Sequence, residues 1–523
     1  MSATLRVRIR PLGRVLTVAL VLGGASCGGP APRPVTRTWW VGRSAPMFDP
    51  LGPRDPVRWS LERLLTRGLV EEDASGAIVP AAAERVVTSR DSLTVTFHLP
   101  RGLRYTTGAH CRSADFRAAL EAGLQRPDHA TTAWALAAVR GVDAVRPGRP
   151  LPPLGIRTPD DSTLVLELAR RDRQLLRKLA IPGLCTPWAV RDSAAGWGGA
   201  AGLGPYRVQR AEPRRLVLVR TQRPAKGRAP SPDTVSVRFE PVVARLRSAL
   251  RAGSIDLLWP VPGSLLADPL PASYRHQTGP AVPVRRLLLI MRMDVPPTTK
   301  NAARQALAHG LNRSEVTDLL RNGARDPIAW WPEAAPFEFP KLDAGEVSAW
   351  LERGKLGRSV HVVMLIDADG VATAVAHSLQ GEWARLSLSV DLLPLRGAAL
   401  AEESLRGWHA QLALLDWQAL SDDPAAELAA LVMPPRGPAV GTFRTGWRTR
   451  EFDPWIRPGS PATPLDLDAV ERRLAEQLVA LPVAELDWMW VERSGAGSTA
   501  SHPHFGPEIV SPGAAAGGAG PPN

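Results

Sequence analysis

The sequence predicts an α/β fold with mixed sheets, arranged as two lobes around a central cleft. Three observations carry this. Strand patterns alternate with helical ones through the later half, as α/β layers require. The chain has 523 residues, beyond the ~250–300 at which one hydrophobic core stops growing. The pattern also changes character at Arg286, where the unbroken apolar run 287–291 opens a second unit. Lobes flanking a cleft are a common setting for ligand sites.

The elements follow in order. Residues 28–38 carry too much Pro and Gly to pack and read as a tether. Trp39-Trp40-Val41 begins a short strand, and Val57, Leu61, Leu64, Leu65 and Leu69 recur at near-helical spacing over 57–70. Residues 91–99 and 161–168 alternate with period two, as half-buried strands do. Between them Ser113 caps a helix reaching about Leu124. Strands at 215–220 and 234–240 precede a helix at 243–252 and a short strand at 255–258. In the later half, strands at 287–291, 359–365, 385–392 and 412–416 alternate with helices at 300–310 and 371–381, and a last helix covers 466–481. The tail after Val491 has no core-forming pattern and is expected to be disordered. With 51 prolines, about twice the usual ~5%, many connections should be rigid turns.

Location is written at the N-terminus. Arg6, Arg8, Arg10 and Arg14 precede the apolar run 15–22, and Gly23-Gly24-Ala25-Ser26 leads into Cys27. A basic head, a short apolar core and a small-residue exit form an export signal. Its core falls well short of the ~20 apolar residues that span a bilayer as a helix. The signal resembles those of bacterial lipoproteins, which places the lipid on Cys27, although Gly24 stands where their cleavage motif usually has Leu.

The net charge of +13, near +9 once the leader arginines go, is spread among acidic and apolar neighbours. No compact basic and aromatic patch and no zinc-finger spacing occurs, so nucleic acid is not an expected partner. Two cysteines remain in the exported chain, Cys111 and Cys185; a disulfide between them and two separate buried thiols both stay open.

Chemistry is sparse. No HExxH, GxxxxGK[ST] or GxSxG occurs. The ten histidines are scattered, so neither a metal site nor a cofactor is expected, and no nucleophile–base pair nominates an enzyme. The glycine cluster 198–204 lacks the flanking strand and helix of a phosphate loop and reads as a turn or hinge. Seventeen tryptophans against three tyrosines are the compositional oddity. Most are core, but Trp330, Trp331 and Trp417 lie just past a helix or strand, where loops face a cleft; Trp39 is counted with them as a candidate contact.

Several segments together resemble the bacterial extracellular solute-binding proteins of family 5, the dipeptide, oligopeptide and nickel receptors of ABC importers. The residues are Leu64–Val70 with Gly76–Glu84, Val95–Tyr105, Ser113-Ala114-Asp115-Phe116, Gly202-Leu203-Gly204-Pro205-Tyr206, Arg251–Asp256 and Arg304–Arg313. Asn312 stands where the family usually has Asp. The resemblance implies a periplasmic-binding-protein type II fold: a signal peptide at 1–27, tether 28–38, first lobe at 39–68, 190–280 and 481–490, an inserted subdomain at 69–189, second lobe at 281–480, and tail 491–523. It implies a monomer in the periplasm or cell envelope that closes over a small organic or peptide-like solute and serves a permease in the inner membrane. Gly202, Gly204, Pro205 and Tyr206 would then be a hinge or structural motif. In peptide-binding members a segment that begins with Trp and ends in Asp-Pro supplies an aspartate for the ligand's amino group. This chain reads Trp417-Gln418-Ala419-Leu420-Ser421-Asp422-Asp423-Pro424, with Leu420 in place of that acid and Asp422 as the nearby substitute. A buried ammonium against Leu would lose its charge partner, which favours an uncharged or anionic solute. A second reading is a non-transport protein on the same fold, docking to an envelope protein or acting as a chaperone.

Overall fold

In the computed structural model the described residues are 35–396 apart from 47–54, 74, 127–129, 147, 189–200, 222–231, 267, 280–284, 321–322, 332–333, 335, 358 and 369, then 399–400, 403, 409–418, 428, 445–447, 451, 465–496, 499, 501–502 and 505–508. Thr36–Val41, rich in Thr and Trp, is the central strand of a seven-stranded sheet. Its spatial order is Tyr274–Gly279, Trp488–Arg493, Leu257–Leu258, Thr36–Val41, Thr234–Phe239, Arg215–Arg220 and Tyr206–Glu212. The central strand runs parallel to both neighbours while the other pairings are antiparallel, so the sheet is mixed.

A six-stranded sheet builds the second lobe, in the order Ala324–Arg325, Ala480–Leu486, Arg285–Met291, Leu412–Gln418, Val360–Asp367 and Leu388–Leu395. Val360–Asp367 is parallel to both its neighbours, joined to Leu388–Leu395 by the crossover helix Ala372–Arg385. Arg285–Met291 is buried along almost its whole length, which explains its unbroken apolar run. Buried arginines tie this lobe together: Arg304 Nε donates to Gln477 O at 2.8 Å and Arg313 Nε to Pro482 O at 3.0 Å.

The region between the first two parts of the seven-stranded sheet carries an antiparallel sheet of its own, Arg85–Thr88, Thr94–His98, Thr163–Glu167 and Ile156–Asp160. Helix Ser113–Gln125 lies on it, with Phe97, Phe116, Leu120 and Leu164 in a separate core. Ser113 begins this helix instead of capping it; Asp115 accepts from Arg112 N at 2.8 Å, and Ser113 Oγ donates to Asp160 O. The disulfide left open by sequence does not form. Cys111 and Cys185 are free, buried thiols in this core, Cys111 beside Tyr105. Burial pushes both up to about 12, which keeps them protonated at neutral pH.

Gly202 and Gly204 press on the backbone of Leu65 and Thr66; a Cβ on Gly204 would lie 2.4 Å from Thr66 N. Gly204 N donates to Leu65 O, and Tyr206 Oη to Pro232 O. The Gly202–Tyr206 motif therefore permits close backbone approach.

Two expectations fail at the C-terminus. The last helix ends at Gln477, and Ala480–Leu486 is a strand in the six-stranded sheet. The disordered tail is also overturned for part of its length. Trp488–Arg493 completes the first sheet, and Ser501–His502 pairs with Gly506–Pro507. His502 is fully buried with Nε2 3.2 Å from Glu72 O, and Phe505 meets Trp59 edge-on at 5.8 Å. A few long-range contacts order this segment despite its composition.

Asn312, the departure from the family pattern, closes helix Arg313–Leu320 against Ala372–Arg385. Its Nδ2 donates to Glu382 Oε1 at 3.1 Å, while Ser378 Oγ holds Glu315 at 2.7 Å. Burial, with Glu315 alongside, pushes the Glu382 carboxyl up to about 7. The folded state then keeps a proton that the unfolded chain releases above the normal carboxylate range, so stability falls as pH rises from about 4.5 to 7. Glu382→Gln should remove this decline and gain on the order of 1 kcal/mol at pH 8. Urea unfolding at pH 5 and pH 8 checks it; parallel pH slopes in both proteins would contradict it.

Candidate functional site in the cleft between the two sheets

Among the described residues the chain passes between the two large sheets twice, from Gly279 to Arg285 and at Asp487, which separates Leu486 from Trp488. Gly279 pairs with Trp488 in one sheet and Arg285 with Leu486 in the other. The residues that flank the two passages are therefore neighbours in both sheets.

Strand direction fixes what surrounds them. Gln418 pairs with Arg285, so Leu412–Gln418 ends at the passages, and the parallel strand Val360–Asp367 ends at the same edge, as does Leu388–Leu395 beside it. Ligands of open α/β sheets gather at such carboxyl ends. In the other sheet Leu257–Leu258 is antiparallel to Trp488–Arg493 and also ends toward the passages, followed by Trp259–Gly263. There the lobes touch: a Cβ built on Gly263 would lie 3.1 Å from Ala374 Cβ and 3.7 Å from Val371 Cα, at the start of helix Ala372–Arg385.

Trp417 is the penultimate residue of its strand, cross-strand from Arg286. It is 6% exposed, and its indole Nε1 is buried with no hydrogen-bond partner among the described residues. An unpaired buried donor costs free energy of about 1–3 kcal/mol unless something else accepts from it. The neighbouring Asp416 receives Arg285 Nε at 2.7 Å and its Nη2. Arg285 Nη1 also donates to Asp487 O at 3.0 Å, and its guanidinium lies 4.5 Å from the Trp488 ring centroid. Arg325 bonds Glu485 Oε2 at 2.8 Å and Asp487 Oδ1 at 2.9 Å. Charge-assisted bonds thus tie Arg285 and Asp487 to the strand bearing Trp417.

The other candidate tryptophans are committed elsewhere. Trp330 and Trp331 are buried in the second lobe's core, their backbone amides donating to Glu471 Oε1 at 2.5 and 3.1 Å. Trp39 is fully buried, donates Nε1 to Trp259 O at 2.7 Å and stacks on Trp259 at 6.0 Å. Of these four, Trp417 alone has a buried indole Nε1 with no hydrogen-bond partner among the described residues. Leu420, Asp422, Asp423 and Cys27 lie outside the described residues. Sequence reasoning missed Arg285, Gly263 and Glu471, because each acts through a partner more than a hundred residues away.

Residues 77–437 match the family model for bacterial extracellular solute-binding proteins, family 5, middle region. The nickel-binding periplasmic protein of Escherichia coli K12 is 22% identical over 460 residues, 81% of this chain and 82% of that protein. The periplasmic binding protein AgaA of A. tumefaciens R10, solved with agropinic acid, superposes with a TM-score of 0.74 at 18% identity, covering 90% of this chain and 96% of that one. The murein tripeptide binding protein MppA of Escherichia coli gives 0.73 at 19% identity, over 92% and 97%.

Two mixed-sheet lobes joined by paired passages define a periplasmic-binding-protein type II fold. The chain belongs to the bacterial extracellular solute-binding proteins, family 5. As such it is an extracellular solute-binding protein.

Proposed function

We propose that this protein captures one small organic solute at the edge where Trp417 lies, and that Trp417 grips it. The observation that carries the reading is the buried, unpaired indole N–H of Trp417 at the carboxyl end of its strand. A solute acceptor there would satisfy the donor while the ring supplies apolar contact. Asp422 belongs to the same sequence segment and is proposed as a second contact. Leu420, in place of the expected acid, argues against a free-amine peptide and for an uncharged or anionic solute. No group of three or more His, Cys, Asp and Glu among the described residues is arranged for a metal ion, which gives nickel no support from side chains.

The proposal extends to organisation. The protein acts as a monomer, tethered through lipid on Cys27 and the residues that follow it. Because Thr36–Val41 is a strand of the seven-stranded sheet, the tether expected over 28–38 stops short of Thr36. The first lobe takes 36–68 and 190–280, with an inserted subdomain at 69–189 and a second lobe from 281. With Ala480–Leu486 in the six-stranded sheet, the return to the first lobe is drawn at Asp487. Delivery follows from closure about the paired passages.

A thermal-shift screen of the exported form against peptides, sugars, opines and metal chelates tests the reading. One organic class should stabilise the protein, and Trp417→Ala should weaken that hit at least tenfold. Stabilisation by no class would overturn the transport reading; unchanged affinity in the variant would remove Trp417 from the site.

A further inference from the structure

We infer that the C-terminal hairpin, Ser501–His502 paired with Gly506–Pro507, is a brace on the two passages that sets how freely the lobes close. The inference rests on the reading that closure pivots on those passages. Each strand of the hairpin bears on one of them. A Cβ built on Gly279, where the first passage begins, would lie 2.3 Å from Ser501 Oγ and 2.4 Å from Ser501 Cβ. A Cβ on Gly506 would lie 2.7 Å from Trp259 Cζ2 and 3.3 Å from Cε3 of Trp488, the first residue after the second passage. Gly506 also has φ at 84°, so its conformation and its clearance both call for glycine. Gly279 and Trp488 are cross-strand partners. The hairpin therefore sits where both passages leave the first lobe's sheet.

The hairpin is itself held from outside that sheet. His502 Nε2 lies 3.2 Å from Glu72 O, and the His502 and Phe505 rings are 4.7 Å apart. Phe505 belongs to the inserted subdomain's core, meets Trp59 edge-on and lies 4.6 Å from the Arg63 guanidinium. Arg63 also pairs with Glu508 at 3.6 Å. At the near end Thr499 Oγ1 joins the buried pair of Arg37 and Glu492. A segment anchored at both ends thus fixes the first-lobe end of each passage, so only the residues beyond can turn. Without it those strand ends would be free to fray and the pivot would lengthen. The brace also reaches the solute edge. Trp488 meets Gly506 on one side and lies 4.5 Å from the Arg285 guanidinium, which bonds Asp416 beside Trp417. Packed and charged contacts therefore run without a break from the hairpin to the strand that bears Trp417.

The test uses the exported form carrying Cys27→Ser, in which Cys111 and Cys185 are too buried to take a label. Nitroxides on Val242→Cys in the first lobe and Ile328→Cys in the second, both exposed positions, report the spread of lobe distances by pulsed electron resonance. Amide hydrogen exchange reports the passages. Truncation after Gly495, and Gly506→Val, which drives the hairpin off Trp259 and Trp488, should each speed exchange over 274–291 and 480–493 by about tenfold. Both should also widen the distance distribution. Phe116→Ala, a core change on the subdomain helix Ser113–Gln125, should do neither. Unchanged exchange in both hairpin variants would overturn the brace and leave closure about the passages standing. Faster exchange with an unaltered distance distribution would overturn it together with the reading that the passages are the pivot. Equal effects of Phe116→Ala would also overturn it, because any loosening of the protein would then act alike.

Discussion

Cysteines at Gly263 and Ala374 should close a disulfide across the cleft and slow solute release at least a hundredfold. A Cβ on Gly263 falls 3.1 Å from Ala374 Cβ, a few tenths of an ångström short of the ~3.5–4.5 Å span of disulfides. Both positions are anchored: Leu265 N bonds Pro262 O and Gly42 N bonds Pro260 O on one side, while the other begins a 14-residue helix. Cys111 and Cys185 are too deeply buried to compete. The bond would close a loop of about 110 residues, worth about 4–5 kcal/mol in the chain-entropy account. Oxidised Gly263→Cys/Ala374→Cys should migrate faster on a non-reducing gel and unfold at higher urea, with reductant reversing both. Failure to cross-link would show that the lobes do not meet there. Cross-linking with unaltered solute release would show that the contact is a strut away from the solute's path.

Legibility in the sequence follows the range of the forces involved. Strands such as Arg215–Arg220 and Leu412–Gln418 stand out because apolar and polar residues alternate, or apolar ones run on, within a few positions. Ala480–Leu486 stayed hidden. It is buried on both faces and so shows no alternation, and its Pro482 suggests a break. The structure accommodates that proline at a register shift opposite Leu287 and Leu288. The C-terminal segment hid for a related reason: its Gly, Ser and Pro give no periodic signal, while His502, Phe505 and Thr499 dock on distant residues. In the site, Trp417 was legible through its motif. The burial of Trp330 and Trp331 was not, because the carboxylate that fixes them comes from position 471. Local pattern names elements; it does not say which side chain completes another's hydrogen bonds.

Glu471→Ala should be among the most damaging single changes in the second lobe, costing about 2–5 kcal/mol, because two buried backbone amides lose their acceptor at about 1–3 kcal/mol each. Glu471 projects from helix Leu467–Gln477 and is 3% exposed. Burial pushes its carboxyl above the usual range, while the Trp330 and Trp331 amides and the nearby Arg286 charge pull it back. Arg286 is 2% exposed, donates Nη2 to Trp330 O and lies 5.8 Å from the Trp330 ring centroid. Alanine would strip both amides of their acceptor and remove the carboxylate facing a buried guanidinium. Glu471→Gln keeps one acceptor oxygen and should cost less than half as much. Because Arg286 is cross-strand from Trp417, both variants should also weaken the solute found in the screen, although Glu471 is buried in the lobe's core. Urea unfolding measures the first effect and titration of the folded variant the second. An Ala variant within about 0.5 kcal/mol of wild type, the range of ordinary surface changes, would mean that the clamp on Trp330 and Trp331 does not hold the lobe together. A destabilised variant with full solute affinity would separate the clamp from Trp417, leaving Arg285 and Asp416 as the groups that position that strand at the passages.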